Sequence, residues 1–464
     1  MYEFSKYKEQ YRANLKLALP VVVAQLGQIL VQFADNVMVG RYGGEDPLPL
    51  ASVAFGNSSA FLFFIAGLGI TLGLTPLVGE LFVRGETRRS ASYLKHAMVL
   101  YGLLGVAFTL LQLLFAPMLY RMGQPVEVVD MALPYYRFLA FSMFPVMLFG
   151  AFKQFLEGVG NTVASMIIIL GCNLLNILLN WIFINGEWGA PEMGGAGAGL
   201  ATMISRAMMP VAGLVYFVSQ KRYRCYLSLF PSLKMRRAQI NDLFKMGLPI
   251  AVQMFLEASA FVITSVMMGW FDVIAISSNQ IAMTLGNCAF MIVTAVGAAT
   301  TIRVSHCFGA RNIGEMSMAA KASLHIVLMW NTLAILAFVS LRHVVPHLFT
   351  SNAAVIDMTA LLLVFVSLYQ LSDGLQCVAI GIMRGFQDVK VIPWISFLAY
   401  IVLNLPVGYL FGFTLGMGPC GLFVGYFVGL TTSAVLLLLR VKRKIGYLRR
   451  HNPCLLYTSD AADE

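Results

Sequence analysis

Asp35, Glu257 and Asp373 lie inside long apolar stretches of a 464-residue chain. One acidic group at the centre of a membrane helix costs about 2.5–3.5 kcal/mol on insertion scales, and such groups persist where they face a partner, an ion or water. In the second half, Gln253 precedes Glu257 by one helical turn and Tyr369 precedes Asp373 by the same interval. Each pair shares a face if its segment is helical. Two carboxylates, a phenol and an amide at one depth would make an oxygen-rich cage. Oxygen ligands suit hard cations such as Na⁺, and two close carboxylates resist ionising together, so a proton can take the same place. Na⁺, a proton, or the two in competition all satisfy this set. A plainer reading, with Glu257 neutral and hydrogen-bonded between helices, leaves the second acid unexplained. In the first half, Asp35 is accompanied by Asn176 and Asn180, an i, i+4 pair. The amides alone could be contacts between helices; with Asp35 they form a candidate proton or cation site.

The elements that must position these residues are membrane spans. Of the residues, 59% are hydrophobic and 12% charged, about half the charged share of a soluble domain. Apolar runs long enough to cross a bilayer fall at roughly 15–40, 50–80, 93–116, 130–152, 163–185, 195–219, 243–269, 275–303, 320–342, 357–381, 391–414 and 419–440. Glu257 lies about 12 residues into the seventh, hence ~18 Å from its start and near mid-membrane. With the N-terminus cytoplasmic, 27 of the 32 Lys and Arg fall at cytoplasmic ends or loops. Arg41, Arg121, Arg137 and Arg342 lie outside, and Arg206 lies within a span. This asymmetry places both termini in the cytoplasm. The net charge of +10 is therefore a topology signal, with weak attraction to anionic lipid, and does not indicate a nucleic-acid partner. No cleavable signal peptide is evident, because the first apolar run is too long for one.

The chain repeats itself. Leu19-Pro20 opens the first span and Leu248-Pro249 the seventh; Gly158 corresponds to Gly385, and Asn176 to Asn404, at offsets of 229, 227 and 228 residues. Six spans per half make a parallel repeat, with a binding cavity expected between halves. The fold class is thus an all-α integral membrane protein of twelve transmembrane helices in two pseudo-symmetric six-helix lobes. The first lobe covers residues 1–219, a basic cytoplasmic linker 220–242 and the second lobe 243–445. The linker, with Lys221, Arg222, Arg224, Lys234, Arg236 and Arg237, is expected to be solvated and topogenic. The tail 446–464 changes character; Cys454 to Glu464 has neither span length nor helical period and resembles translated adapter or vector sequence. In the repeat, Glu257 aligns with Gln28, Asp35 with Thr264 and Asp373 with Val146. Acids required by the scaffold would occur in both halves, so their placement points to specialised function.

Other features carry less. The 26 Met and the Phe61, Phe63 and Phe64 cluster could offer an adaptable surface to apolar cations, or simply face lipid. Gly194-Gly195 with Gly197 and Gly199 favours close helix approach and lacks the setting of a nucleotide loop. Seven cysteines form no Cys-x-x-Cys pair, so neither a disulfide framework nor a zinc site is expected. His306, His325, His343 and His347 are scattered. No Walker motif, paired metal-ligand His or nucleophile elbow occurs, which disfavours ATP-driven transport and hydrolysis.

Several stretches together resemble one family. They are Leu19-Pro20 through Asp35-Asn-Val-Met-Val-Gly-Arg41, Leu175-Asn-Ile-Leu-Leu-Asn-Trp181, Leu248-Pro249 through Glu257, and Tyr369-Gln-Leu-Ser-Asp373 followed by Met383-Arg-Gly385. The chain is similar to the multidrug and toxic compound extrusion (MATE) transporters, in particular the NorM-like branch, over nearly all of residues 10–445. The resemblance implies two six-helix lobes around a central cleft, with Na⁺ or H⁺ moving inward in exchange for organic cations or drugs. It implies that Glu257, Asp373 and Tyr369 form the cation site of the second lobe, and Asp35, Asn176 and Asn180 the polar site of the first. It further implies a multi-pass protein of the cytoplasmic (inner) membrane, no enzyme, no cofactor beyond the coupling ion, and a monomer. A flippase of lipid-linked sugar on the same scaffold should favour basic residues in its cleft. A channel or intramembrane enzyme would need a continuous pore or a catalytic set, and no catalytic set is found.

Overall fold

The structure, a computed structural model, describes residues 2–43 and 48–451. The end of the tail, Cys454 to Glu464, lies outside the described residues. Among the described residues, twelve helices are long and apolar enough to cross a membrane: Tyr7–Tyr42, Leu48–Val83, Thr87–Arg121, Val126–Gly158, Thr162–Asn185, Gly195–Ser219, Arg237–Met268, Val273–Gly309, Ile313–Leu341, Ala353–Gly385, Ile392–Thr414 and Pro419–His451. They are numbered here as spans one to twelve. Their apolar centres coincide with the runs in the sequence, and many helices continue past them into flanking polar residues. An α-helix satisfies its own backbone, so it can carry an isolated apolar segment through lipid without leaving polar groups unpaired.

Packing divides the chain into two compact units, residues 23–251 and residues 1–22 with 252–464. The expected boundaries at 219 and 243 follow the repeat; the packing boundaries fall elsewhere, inside spans one and seven. Each lies just beyond a proline carried within the helix, Pro20 or Pro249. The two boundaries are themselves 229 residues apart, so the exchange of helix ends obeys the repeat.

Side-chain contacts explain the exchange. In the second unit, Asn14 of span one is fully buried and donates from Nδ2 to Ala319 O (3.1 Å) and Ser323 Oγ (2.9 Å) of span nine. Tyr11 Oη and His325 Nδ1 are 2.9 Å apart, and Arg303 donates to Gln10 Oε1. In the first unit, the start of span seven meets span two at glycines: a Cβ on Gly73 would lie 2.7 Å from Gly247 N. Such backbone contact is available only to small residues. The first unit's core gathers Val39, Val53, Leu119, Tyr136, Leu139 and Ile184.

The linker departs from expectation. Its basic side chains are solvent-exposed, yet its backbone is docked onto the start of span three. Lys95 Nζ donates to Phe230 O (2.8 Å) and Leu233 O (2.7 Å), and the fully buried His96 accepts from Arg236 N through Nε2 (2.7 Å). Tyr223, on the linker helix Lys221–Ser228, is buried and accepts from Asn161 Nδ2 (2.8 Å). Tyr223 titrates above the usual phenol range, because burial disfavours the phenolate.

Spans five and eleven occupy corresponding places and differ in backbone. Span five is continuous α-helix, with the Asn161 side chain accepting from Ala164 N (3.1 Å) at its start. Span eleven opens into wider i→i+5 turns at Phe397–Asn404 and Leu410–Thr414 on either side of Leu405–Tyr409. Pro406 supplies no N–H and crowds the carbonyl four residues back, which favours such rearrangement.

Candidate cation sites in the two halves

The first-half site is built on spans one, five and six. Asn176 and Asn180 are deeply buried on one face of span five. Asn180 Nδ2 donates to Asp35 Oδ1, joining spans five and one. Turned with its nitrogen toward Asp35, the Asn176 amide lies 3.1 Å from the same Oδ1. Its oxygen then accepts from the Thr202 and Ser205 hydroxyls at 3.2 Å each. Arg206, the next residue on span six, donates from Nη1 to Ser142 Oγ (2.9 Å) and lies 5.1 Å over the Phe64 ring. It interacts electrostatically with Asp35 and Tyr135. The three residues expected from sequence are thus together, and Arg206 adds a fixed positive charge. It was visible as a basic residue within a span but had no partner there.

The second-half site is built on spans seven, ten and eleven. Gln253 Nε2 donates to Glu257 Oε2 (2.6 Å). Its oxygen faces away and accepts from Arg384 Nη2 (2.8 Å), so Gln253 presents nitrogen, not oxygen, to the carboxylate. The Tyr400 hydroxyl lies close enough to Glu257 to interact with it, and Gln376 Nε2 in turn donates to Tyr400 Oη. Asp373 interacts electrostatically with Glu257. Its side chain is only 5% exposed, and its Oδ1 is buried with no hydrogen-bond partner.

Tyr369 is buried close enough to Asp373 to interact electrostatically. Its hydroxyl points to Met283 Sδ (3.9 Å), however, and its ring packs against those of Phe423 and Tyr426. The face it shares with Asp373 therefore does not translate into a shared hydrogen bond. Tyr400, Gln376 and Arg384 were missed. Tyr400 stands one turn before the repeat landmark Asn404, and Arg384 immediately before Gly385, so both could have been found by extending the landmarks along their helices. Among the described residues, no group of three or more His, Cys, Asp or Glu side chains could hold a metal ion. The available donor set is two carboxylates with hydroxyl and amide neighbours, which suits a monovalent hard cation or a proton better than a transition metal.

Among the described residues, twelve spans in two copies of a six-span plan, with acids at least half-buried within spans of each half, define a polytopic membrane transporter. The MatE family model matches the chain twice, over residues 20–182 and 249–410, and the chain belongs to this family, the MATE transporters. The two matches begin 229 and end 228 residues apart, the same register as the repeat. Over 447 residues the chain is 31% identical to the Multidrug resistance protein NorM of Photobacterium profundum, covering 94% of this chain and 96% of the relative. The fold matches an outward-facing multidrug resistance MATE family transporter of the MOP superfamily with a TM-score of 0.85 at 19% identity, over 95% of this chain and 97% of that one. The eukaryotic MATE transporter AtDTX14 matches with a TM-score of 0.84 at 20% identity, over 96% and 99%. A MOP superfamily transporter from Pyrococcus furiosus matches equally well at 0.84 and 20%, over 95% and 97%.

Proposed function

We propose that this protein is an antiporter of the inner membrane, with both termini cytoplasmic, that exports organic cations, drugs among them, in exchange for Na⁺ or H⁺. The observation that carries the coupling is Asp373. A buried polar atom without a partner is costly, and an unpartnered carboxylate oxygen beside a second carboxylate offers a place for a cation that neutralises both. Asp35, with its two amides, is a separate place where a proton could be held. The drug side rests on the relative named a multidrug resistance protein.

In this mechanism, a cation entering from outside neutralises the pair formed by Glu257 and Asp373 and shifts the balance between outward- and inward-facing states. An organic cation then loads from the cytoplasm, and alternating access carries it out. One inward charge across 100 mV supplies about 2.3 kcal/mol, and a tenfold ion gradient adds about 1.4 kcal/mol. In one-for-one exchange of monovalent cations the voltage terms cancel, so stoichiometry sets the drive. A monomer suffices for the cycle.

Ethidium efflux from reconstituted vesicles under an imposed Na⁺ or pH gradient tests this reading, with wild type compared against Asp373→Asn. Gradient-driven efflux should fall on the order of a hundredfold in the variant, equivalent to about 2.8 kcal/mol. Efflux driven by pH alone and surviving the substitution would move coupling to Asp35. Absence of efflux under either gradient would put a flippase of amphiphilic lipid first.

A further inference from the structure

We infer that Arg384 is a positioning residue of the second-half site: acting through Gln253, it holds Glu257 as the static carboxylate and leaves Asp373 as the one that exchanges the cation. This rests on the coupling reading above and adds a division of labour to it. An amide carries its acceptor and its donors on opposite sides. Once the Arg384 guanidinium takes Gln253 Oε1, the Gln253 nitrogen is turned toward Glu257, and the two short contacts of 2.8 and 2.6 Å form a chain from span ten through span seven. Tyr400 of span eleven, held by Gln376, interacts with Glu257 as well. Glu257 is thereby occupied from two elements, while Asp373 Oδ1 has no donor.

The repeat argues against a scaffold role. Counting back from Gly158 and Gly385, the counterpart of Arg384 is Glu157, which is buried and pairs with Lys153 at 3.8 Å. The two halves therefore carry opposite charges at this place. Charge counting agrees: Glu257, Asp373 and Arg384 sum to one negative charge, which one Na⁺ or one proton neutralises. Without the arginine the pair would demand two.

The test measures initial ethidium efflux in vesicles against the concentration of whichever ion drives wild type, for Arg384→Gln, Arg384→Lys, Gln253→Leu and the double variant Arg384→Gln/Gln253→Leu. The half-saturating ion concentration should shift about tenfold from wild type in Arg384→Gln, which removes the hydrogen bond to Gln253 together with the positive charge that offsets one carboxylate. Ethidium binding at equilibrium should change less than about twofold, a split that general loosening of the fold would not give. Arg384→Lys, which keeps the charge without the fork, should restore most of the wild-type ion dependence. The double variant should be no worse than either single one, because both break the same chain. An unchanged half-saturation in Arg384→Gln, or additive losses, would overturn the assignment. Wild-type efflux without ion dependence would instead overturn the coupling reading itself.

Discussion

The two halves share one plan and balance charge differently. In the first, Asp35 takes hydrogen bonds from buried amides and lies in the field of Arg206, so one negative group faces one positive group. In the second, Glu257 lies in the field of both Arg384 and a second carboxylate, Asp373. On the proposed reading, a monovalent cation would complete the second cluster, and the first would hold a proton or a cation beside Asp35 with a fixed positive charge already near it. The backbones differ in the same sense. Span five runs as regular helix through Asn176 and Asn180, while span eleven widens around Tyr400 and Asn404. The repeated plan accounts for the spans, and the two halves differ at a few polar and charged positions.

The largest effect should come from breaking the backbone contrast. Leu178, the counterpart of Pro406, is 45% exposed on span five, so Leu178→Pro tests the backbone with little change in packing. Span five has no wide turn to absorb a proline, and the substitution should cost about 3 kcal/mol or more, read as lost thermal stability of the purified protein in detergent. Changes at Asn180 probe the polar half of the comparison. Asn180→Leu strips Asp35 of a donor and should destabilise by about 1–3 kcal/mol. Adding Asp35→Leu should recover part of that loss, because removing both members of a polar pair costs less than orphaning one; a further fall in melting temperature would contradict this. The smallest effect lies in the turns between spans. Gly85 and Gly160 adopt positive φ in the first half, and Arg311 (φ 58°) and Gln387 (φ 61°) do so in the second. Arg311→Gly should relieve left-handed strain of about 1–2 kcal/mol, less the entropy glycine adds to the unfolded chain. A net gain of about 0.5–1 kcal/mol would appear as a raised melting temperature, with no matching gain for Gly85→Ala.

Much of this was legible in the sequence because membrane spans and repeats leave long-period signals. Apolar runs locate all twelve spans, and landmarks such as Leu19-Pro20 and Leu248-Pro249 set the register that the family matches share. Asp35, Asn176 and Asn180 could be grouped because i, i+4 spacing and polarity in an apolar segment need no tertiary information. What stayed hidden depends on neighbours. Gln253 was placed on the right face, but which amide atom meets Glu257 is decided by Arg384 on another helix. Tyr369 shares a face with Asp373, yet the aromatic packing of Phe423 and Tyr426 directs its hydroxyl elsewhere. The linker's charges were legible in the sequence but its docked backbone was not, because Lys95 and His96 lie 135 to 140 residues earlier in the chain.

The exchanged helix ends set a schedule for biosynthesis. Asn14 leaves the ribosome 309 residues ahead of its partner Ser323. At about 5–20 residues per second, the inner end of span one waits roughly 15–60 s before span nine exists to receive its amide. The start of span seven waits for nothing, since span two is already in place. The second unit can therefore close only after nine spans have been made, and an amide left without its native partner must meanwhile be satisfied by water, lipid headgroups or the insertion machinery.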